Sequence, residues 1–228
     1  MNLLIDDANA AKIQEIMEIY PIDGVTTNPS ILARCGSDMF GMLHEVREVL
    51  GNERELHIQV IATDCEGMLR DAAAIVKEIP GRTFIKVPVT VEGLKAIRLL
   101  KKEGYRVTAT TVLSRMQALL ASKAGADYIA PYLNRMDALG MDGVEEIRQM
   151  QYNNIINGLS TQILAASFKT HRQVASLFPL GIGGMTIPSD LFDTMLDNPH
   201  AATAVEAFTR AFESRCGEGS TMAGIRNR

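Results

Sequence analysis

"HIQVIATDCEGMLRDAAAIVKEIPGRTFIKVPVT", residues 57–90, holds a complete strand, a helix and a second strand. The runs "HIQVIA" at 57–62 and "TFIKVP" at 83–88 are mostly apolar, without strict alternation of apolar and polar residues. Such runs are typical of parallel strands that are covered on both faces. We therefore predict that both runs are parallel strands of one sheet.

The residues between these two strands predict an amphipathic helix. "TDCE" at 63–66 matches a capping box with Thr63 as the N-cap, and "PG" at 80–81 ends the helix. Its apolar face repeats at spacings of four, three and four residues, at Met68, Ala72, Ile75 and Ile79. A further helix is predicted after Thr90, with an apolar stripe formed by Val91, Leu94, Ile97 and Leu100.

The same alternation of strand and helix runs along the chain. We predict eight strands, at residues 2–6, 24–27, 57–62, 83–88, 106–111, 128–132, 162–167 and 185–188. Eight units of about 28 residues fit a closed (β/α)8 TIM barrel. The alternative, an open doubly wound sheet, is less favoured because no GxGxxG motif follows the first strand. "GIGG" at 181–184 leads into a strand and is interpreted as a turn.

The chain is predicted to be a single domain over residues 1–228, because no stretch resembles a linker. After the eighth strand, Val205, Phe208 and Phe212 indicate an amphipathic C-terminal helix at about 200–216. Residues 217–228 are small and polar and are predicted to form a flexible tail.

Composition excludes several classes of partner. The net charge is −4 and basic residues are scattered, so neither nucleic acid nor a membrane surface is expected to bind. No apolar run is long enough for a membrane span, and the acidic N-terminus differs from a signal peptide, which predicts a cytoplasmic location. The three cysteines are far apart, so neither a disulfide framework nor a zinc site is indicated, and we expect no metal and no cofactor.

Lys86 stands inside the apolar run at 83–88. If its side chain points into the barrel, desolvation favours the neutral amine, which is a nucleophile for carbonyl groups and can form a Schiff base. The alternative is a lysine whose stem packs in the barrel while its ammonium group reaches the rim. Strand position alone leaves both interpretations open.

Polar residues at the ends of the other predicted strands are expected to meet at one mouth of the barrel, where such folds bind ligands. Alternatively, single residues among them only cap the helix that follows. Tyr132 is a candidate general acid and base, acting directly or through a water held by Gln59 and Thr110. Asp6 and Asn28 are candidates for binding substrate hydroxyls. Arg135, Ser167 and Lys169 follow the sixth and seventh strands and are candidates for binding phosphate, or else they are solvated loop residues.

Four motifs resemble the small-subunit transaldolase-like family, and most closely its fructose-6-phosphate aldolase branch. They are "GVTTNPSIL" at 24–32, "IKVPVT" at 85–90, "GADYIAPYLNRMDALG" at 125–140 and "LAASFKT" at 164–170, and the similarity extends from residue 1 to about 215. The resemblance implies that Lys86 is the Schiff-base residue. It also implies that Asp6, Thr26 and Asn28 bind and position hydroxyls, and that Arg135 and Ser167 contact phosphate.

Two residues favour the aldolase branch within this resemblance. Similar transaldolases carry glutamate in place of Gln59 and phenylalanine in place of Tyr132, and both residues here follow the aldolase pattern. The resemblance thus implies a metal-independent class I aldolase that cleaves fructose 6-phosphate to dihydroxyacetone and glyceraldehyde 3-phosphate. The alternatives are a transaldolase and a non-catalytic sugar-phosphate-binding barrel. A ring-like homo-oligomer, a pentamer or decamer, is also implied.

Overall fold

The computed structural model describes residues 1–225, and in these residues eight parallel strands form a closed barrel. The strands pair in chain order, and the last strand pairs with the first, so that Leu4 lies beside Thr186. Helices alternate with the strands. The prediction of a (β/α)8 TIM barrel is therefore confirmed, and the open doubly wound sheet is excluded.

The eight strands lie close to their predicted positions. They are β1 Asn2–Asp6, β2 Gly24–Thr26, β3 Glu55–Gln59, β4 Thr83–Pro88, β5 Val107–Val112, β6 Tyr128–Pro131, β7 Gln162–Ala165 and β8 Gly184–Pro188. The largest difference is β3, which begins at Glu55 and ends at Gln59 although residues 57–62 were predicted. It ends early because the backbone N–H groups of Ile61 and Ala62 donate to the carboxylate of Asp71 instead of to a neighbouring strand.

Twelve helices are present in residues 1–225. They are α1 Ala10–Ile19, α2 Pro29–Cys35, α3 Met39–Leu50, α4 Cys65–Glu78, α5 Val91–Lys102, α6 Arg115–Lys123, α7 Leu133–Ala138, α8 Gly143–Ile156, α9 His171–Ser176, α10 Ser189–Phe192, α11 Pro199–Cys216 and α12 Met222–Ile225. A short 3₁₀ turn covers Phe178–Leu180. None of these helices combines the length and the apolar character required to cross a membrane.

The predicted cap of α5 is confirmed and that of α4 is wrong. Thr90 accepts a hydrogen bond from the Gly93 N–H, as predicted. The N-cap of α4 is Asp64, not Thr63, and its carboxylate accepts from the Gly67 N–H at 2.8 Å. A carboxylate at this position also interacts favourably with the helix dipole, an advantage that a threonine hydroxyl lacks.

The sequence pattern predicts the buried face of α4 correctly and that of α5 only in part. All four predicted residues of α4 are buried. On α5 the residue Val91 is 74% exposed, so the predicted stripe is wrong at that end. The reason is a close approach of helix and strand, since a Cβ added at Gly93 would overlap the carbonyl oxygen of Pro88. Gly93 and Ala96 therefore face the barrel in place of Val91.

The interior of the barrel near the N-terminal strand ends contains a group of polar and aromatic side chains that we call the base cluster. Glu55 is its centre and accepts hydrogen bonds from Arg82 at 2.8 Å and from the hydroxyl of Tyr128 at 3.2 Å. His57 lies between Glu55 Oε2 and Thr108 Oγ1, and its ring stacks on Phe84 at 4.5 Å. The cluster consists of Asn2, Glu55, His57, Arg82, Phe84, Thr108 and Tyr128.

The charge states of the base cluster follow from burial and from these bonds. Burial alone would raise the pKa of Glu55, but the hydrogen bond from His57 and the charge of Arg82 outweigh it, so this pKa lies below its usual value. Burial lowers the pKa of His57, which makes the neutral imidazole the stable form. Burial and then the nearby Glu55 charge raise the pKa of Tyr128 to about 12. Glu55 is thus a buried carboxylate whose polar neighbours all donate to it.

The described chain divides into two compact units, Met1–Phe192 and a second that begins at Asp193. The second unit contains α11, capped by the side chain of Asn198, and this confirms the predicted C-terminal helix. The short α12 lies within the stretch that was predicted as a flexible tail. Residues 226–228 of that predicted tail lie outside the described residues. The assignment of both units to a single domain stays a prediction.

Candidate active site

A cavity of about 710 Å³ opens at the C-terminal ends of the strands of the first unit. Parallel barrels bind their ligands at this end, because loops from all eight units meet there. Eight of the ten predicted site residues line its wall, namely Asp6, Asn28, Gln59, Lys86, Tyr132, Arg135, Ser167 and Lys169. The other two, Thr26 and Thr110, are buried behind the wall.

Lys86 extends from β4 into the barrel. Side chains alternate along a strand, so Lys86 shares the inner face with Phe84, while Ile85 and Val87 are fully buried on the opposite face. Lys86 is only 5% exposed, and its Nζ donates to the Thr27 carbonyl oxygen at 2.7 Å. This geometry disfavours the interpretation in which the amine reaches the rim. The amine borders the cavity from below, where a carbonyl group can approach it.

Asp6 ends β1 and lies within electrostatic reach of Lys86. Burial raises its pKa, while the Lys86 charge and the hydrogen bond from Thr26 lower it, and burial prevails. Thr26 Oγ1 donates to Asp6 Oδ1 at 2.7 Å and lies 2.7 Å from Thr186 Oγ1. Thr26 therefore holds the Asp6 carboxylate in place, and the structure does not bring its hydroxyl to the cavity wall.

Asn28 is both a helix cap and a residue of the cavity wall, the two roles that its sequence position allows. Its Oδ1 accepts from the N–H groups of Ser30 and Ile31, so it is the N-cap of α2. The same side chain lines the cavity. Because the carbonyl oxygen of the amide is engaged by the helix, its Nδ2 group is the part that can donate to a ligand.

Tyr132 lies at the end of β6, and its hydroxyl is 2.8 Å from Thr110 Oγ1. Thr110 is fully buried, so this bond fixes the phenol from behind while the ring faces the cavity. The guanidinium of Arg135 lies 5.1 Å from the ring centroid of Tyr132, a distance that allows a cation–π interaction. Gln59 lines the cavity from the end of β3.

Helix α7, which follows β6, and the loop after β7 form one cationic edge of the cavity. The N–H groups of Leu133 and Asn134 donate to the carbonyl oxygens of Ala166 and Ser167, each at 3.0 Å. Arg135 of α7 and Lys169 of the loop after β7 both line the cavity, and both side chains are exposed. Two cationic side chains and the hydroxyl of Ser167 in one cavity suit a phosphate group.

Gln173 on α9 forms hydrogen bonds to both α7 and the loop after β7, and so connects these two segments. Its Oε1 accepts from the Lys169 N–H at 2.8 Å, and its Nε2 donates to Asn134 Oδ1 and Asp137 Oδ2. Ser167 has a φ of 65°, an unusual left-handed conformation for a residue other than glycine. The edge is therefore a specific backbone arrangement held by side-chain bonds.

Sequence reasoning missed several residues of the cavity wall. Arg34 comes from α2, a seven-residue helix that no clear periodicity announced, although the "NPS" cap was a usable signal. Asp7 accepts from the Ser189 hydroxyl and from the N–H groups of Ala8 and Asn9. Thr111 was overlooked because strand alternation points it away from the barrel interior. The remaining additional wall residues are Pro29, Ser30, Ile31, Cys35, Asn134, Ala166, Phe168, Pro188, Ser189 and Asp190.

The fold and the cavity define the chain as a (β/α)8 barrel with a buried lysine at the ligand-binding end. Within residues 1–225, no group of three or more histidine, cysteine, aspartate or glutamate side chains is placed to hold a metal ion. The family model described as Transaldolase/Fructose-6-phosphate aldolase matches residues 3–223. The chain belongs to this family, as the sequence motifs predicted, and the family consists of enzymes that bind sugar phosphates. The match covers both aldolases and transaldolases and leaves that choice open.

Proposed function

We propose that this chain is a class I aldolase that reversibly cleaves fructose 6-phosphate to dihydroxyacetone and glyceraldehyde 3-phosphate. The observation that carries the proposal is the buried amine of Lys86, which borders a polar cavity with a cationic edge at Arg135 and Lys169. The distinction from a transaldolase rests on Tyr132 and Gln59, which stand where transaldolases of similar size carry phenylalanine and glutamate.

In the cleavage direction, the amine of Lys86 attacks C2 of fructose 6-phosphate and forms an imine after loss of water. Removal of the proton from the C4 hydroxyl then breaks the C3–C4 bond. Glyceraldehyde 3-phosphate leaves, and the electron pair of the broken C3–C4 bond stays with the three-carbon unit, which remains attached to Lys86 as an enamine. Protonation at C3 and hydrolysis of the imine by water release dihydroxyacetone and restore the amine.

We assign the proton transfers to groups that surround the amine. Asp6 is the candidate base for the C4 hydroxyl, because its raised pKa makes the carboxylate a better proton acceptor than an ordinary aspartate. Tyr132, aligned by Thr110, is the candidate donor to the enamine, directly or through a water that Gln59 also binds. Asn28 and Ser167 contact substrate oxygens. Arg135 and Lys169 bind the phosphate.

Borohydride trapping tests the covalent step. The enzyme is incubated with dihydroxyacetone and reduced, and peptide mass mapping locates the adduct. We expect one adduct at Lys86 and none in Lys86→Ala. Lys77→Ala, which removes an exposed lysine of α4, is the matched control and should label like the unmodified protein. An unlabelled Lys86 would contradict the mechanism and favour a non-catalytic sugar-phosphate-binding barrel.

The transaldolase alternative is separated by the fate of the three-carbon unit. Fructose 6-phosphate is supplied with and without erythrose 4-phosphate, and free dihydroxyacetone is measured. An aldolase releases it without an acceptor, whereas a transaldolase transfers the unit and forms sedoheptulose 7-phosphate. We expect release without acceptor, and the double variant Gln59→Glu with Tyr132→Phe should shift the balance towards transfer.

We further propose a cytoplasmic homo-oligomer, a ring-like pentamer or decamer. In α11 of the second unit, Val205 and Phe208 are 63% and 73% exposed, and an apolar helix face of this kind is typical of a surface that another subunit covers. Light scattering coupled to size exclusion measures the mass. A monomer at micromolar concentration would contradict this part of the proposal.

A further inference from the structure

Strand β5 contains one residue more than its partner β6 at the cavity. Ala109 pairs with Ile129 and Val112 pairs with Pro131, so three steps on β5 oppose two steps on β6. This is a β-bulge, and bulges re-aim side chains near active sites. Because of the bulge, two consecutive residues of β5 contribute to the active-site end of the barrel. Thr110 bonds to the Tyr132 hydroxyl, and Thr111 is part of the cavity wall.

Thr111 lies within the bulge and has an unfavourable backbone conformation. Its φ is 61°, in the left-handed region that β-branched residues rarely adopt. Regular backbone bonds continue on both sides, from the Val89 N–H to the Thr110 carbonyl oxygen at 3.0 Å and from the Tyr132 N–H to the Val112 carbonyl oxygen at 3.1 Å. A conformation of this kind persists only when the surroundings hold it.

Gln117 on α6 supplies this support through a single side chain. Its Oε1 accepts from the Leu113 N–H at 2.9 Å, and its Nε2 donates to the Val89 carbonyl oxygen at 3.3 Å and reaches that of Thr111 at 3.5 Å. Val89 lies three residues after Lys86, and Thr111 directly follows Thr110. The amide therefore ties the loop behind the nucleophilic lysine to the bulge that aligns the phenol.

We propose that Gln117 is a positioning residue that sets the location of the Tyr132 hydroxyl relative to the Lys86 amine. Gln117 does not line the cavity and acts only through Val89, the bulge and Thr110. The inference rests on the proposed aldolase function, because it concerns the proton transfer to the enamine. It assigns the effect of Gln117 to turnover and not to substrate binding, since the Gln117 amide bonds to Leu113, Val89 and Thr111 and not to the cationic edge at Arg135 and Lys169.

Three variants test the role of Gln117 in the full-length protein. Gln117→Met keeps the length of the side chain and removes its polar atoms. Gln117→Glu keeps an acceptor for the Leu113 N–H but directs a carboxylate at the carbonyl oxygens of Val89 and Thr111. Gln151→Met is the matched control, because the Gln151 amide likewise joins a helix to a loop carbonyl, that of Gly181 at 2.9 Å, at the other end of the barrel.

We expect kcat for fructose 6-phosphate to fall about 10- to 100-fold in Gln117→Met, as displaced catalytic groups do, while KM changes little. In Gln117→Glu we expect kcat, relative to Gln117→Met, to recover as the pH is lowered, because the protonated carboxyl again donates to the loop carbonyls. Borohydride labelling of Lys86 should persist in both variants. Gln151→Met should retain the kcat of the unmodified protein.

Three results would overturn the inference: an unchanged kcat in folded Gln117→Met, a loss that appears only in KM, or an equal loss in Gln151→Met. If Gln117→Met does not fold, the pH dependence of Gln117→Glu is measured relative to the unmodified protein instead, and a relative kcat that does not recover as the pH is lowered counts against the inference. Absence of Lys86 labelling in the unmodified protein contradicts the aldolase proposal itself. Normal labelling with an unaffected Gln117→Met contradicts only the positioning role.

Discussion

The two ends of the barrel interior hold polar side chains in opposite ways. At the N-terminal end, the Glu55 carboxylate receives hydrogen bonds from four side chains of the base cluster, and the ring nitrogens of His57 both have partners. At the C-terminal end, the amide of Gln59 and the Nδ2 group of Asn28 take no part in the hydrogen bonds among residues 1–225. One end is closed on itself, and the other keeps donors and acceptors for a ligand.

This difference separates stability from function within one interior. A buried polar group costs free energy unless it is paired, so the base cluster is expected to stabilise the fold only while it is complete. The groups at the cavity retain unused hydrogen-bonding capacity and a buried amine, which lowers stability and provides chemistry. Substitutions at the two ends should therefore have opposite signatures in unfolding and in turnover.

Lys86→Met should have the largest effect and should be confined to activity. We expect the rate of fructose 6-phosphate cleavage to fall by more than about 10⁴-fold, because the proposed imine forms on the buried Lys86 amine, whereas Lys169, the other lysine of the cavity wall, is exposed. The melting temperature should stay equal or rise, since a buried amine is replaced by an apolar chain of similar length. Steady-state kinetics and calorimetry measure the two effects. A large loss of stability in Lys86→Met would contradict the assignment of activity to the C-terminal end of the barrel interior and of stability to the N-terminal end.

Glu55→Ala should show the converse signature. It removes the acceptor from the buried donors of His57 and Tyr128, and each buried donor left unpaired costs about 1–3 kcal/mol of unfolding free energy. The protein that remains folded should keep its kcat. Urea denaturation checks the first effect. A large fall in the kcat of the folded Glu55→Ala protein would show that the base cluster also contributes to catalysis.

The same carboxylate predicts a pH dependence of stability. Because the pKa of Glu55 is lower in the folded protein than in the unfolded chain, its contribution is complete above the unfolded value of about 4.3. That contribution disappears as the pH falls through the folded pKa. We expect Glu55→Gln to flatten the acid side of the stability curve, as followed by thermal melts from pH 7 downwards. Parallel curves for both proteins would contradict the lowered pKa.

Tyr132→Phe removes the phenol hydroxyl from its bond with Thr110. We expect kcat to fall about 10²-fold, a common loss for a general acid and base, while Lys86 still forms its adduct. Single-turnover measurements should show accumulation of the enamine, because the step that protonates it is slow. If the rate of dihydroxyacetone release is unchanged in Tyr132→Phe, another residue of the cavity must be the proton donor.

Asp6→Asn should have the smallest effect on stability, and with the opposite sign to Glu55→Ala. The folded pKa of Asp6 is raised, so its ionisation opposes folding at every pH above the unfolded value of about 3.9. We expect a small gain in the free energy of unfolding near neutral pH, which vanishes as the pH is lowered towards that value. Activity should fall in the same variant. A loss of stability at pH 7 would mean that Lys86 and Thr26 outweigh burial.

The sequence predicts the barrel and eight residues of the cavity wall, because both depend on strand positions. The run at 83–88 predicts β4 with its actual ends but leaves open whether the Lys86 amine is buried or reaches the rim, and the bond to the Thr27 carbonyl oxygen shows that it is buried. The start of β3 was missed because Glu55 is charged and therefore does not resemble a core residue. Its burial depends on Arg82 and Tyr128, which come from distant strands. The base cluster was invisible in the sequence for the same reason.

The cavity residues that were missed or misplaced depend on contacts that strand positions do not determine. Thr26 and Thr110 end adjacent to the cavity, yet their hydroxyls bond to Asp6 and Tyr132 behind the wall. Thr111 faces the cavity because of a bulge whose register is set jointly by β5 and β6. Such features follow from packing between elements, which a pattern within one element cannot report.

Closure of the barrel also determines when the site can exist during synthesis. β1 pairs with β8, and the Asp6 carboxylate is held by Thr26, which in turn lies against Thr186. The first and last strands must therefore meet before the acid beside the amine is fixed. Contacts between such distant parts of a chain form late in folding. A ribosome-bound fragment that ends before residue 184 lacks β8 and so cannot complete this arrangement, which ties catalytic competence to the release of nearly the whole first unit.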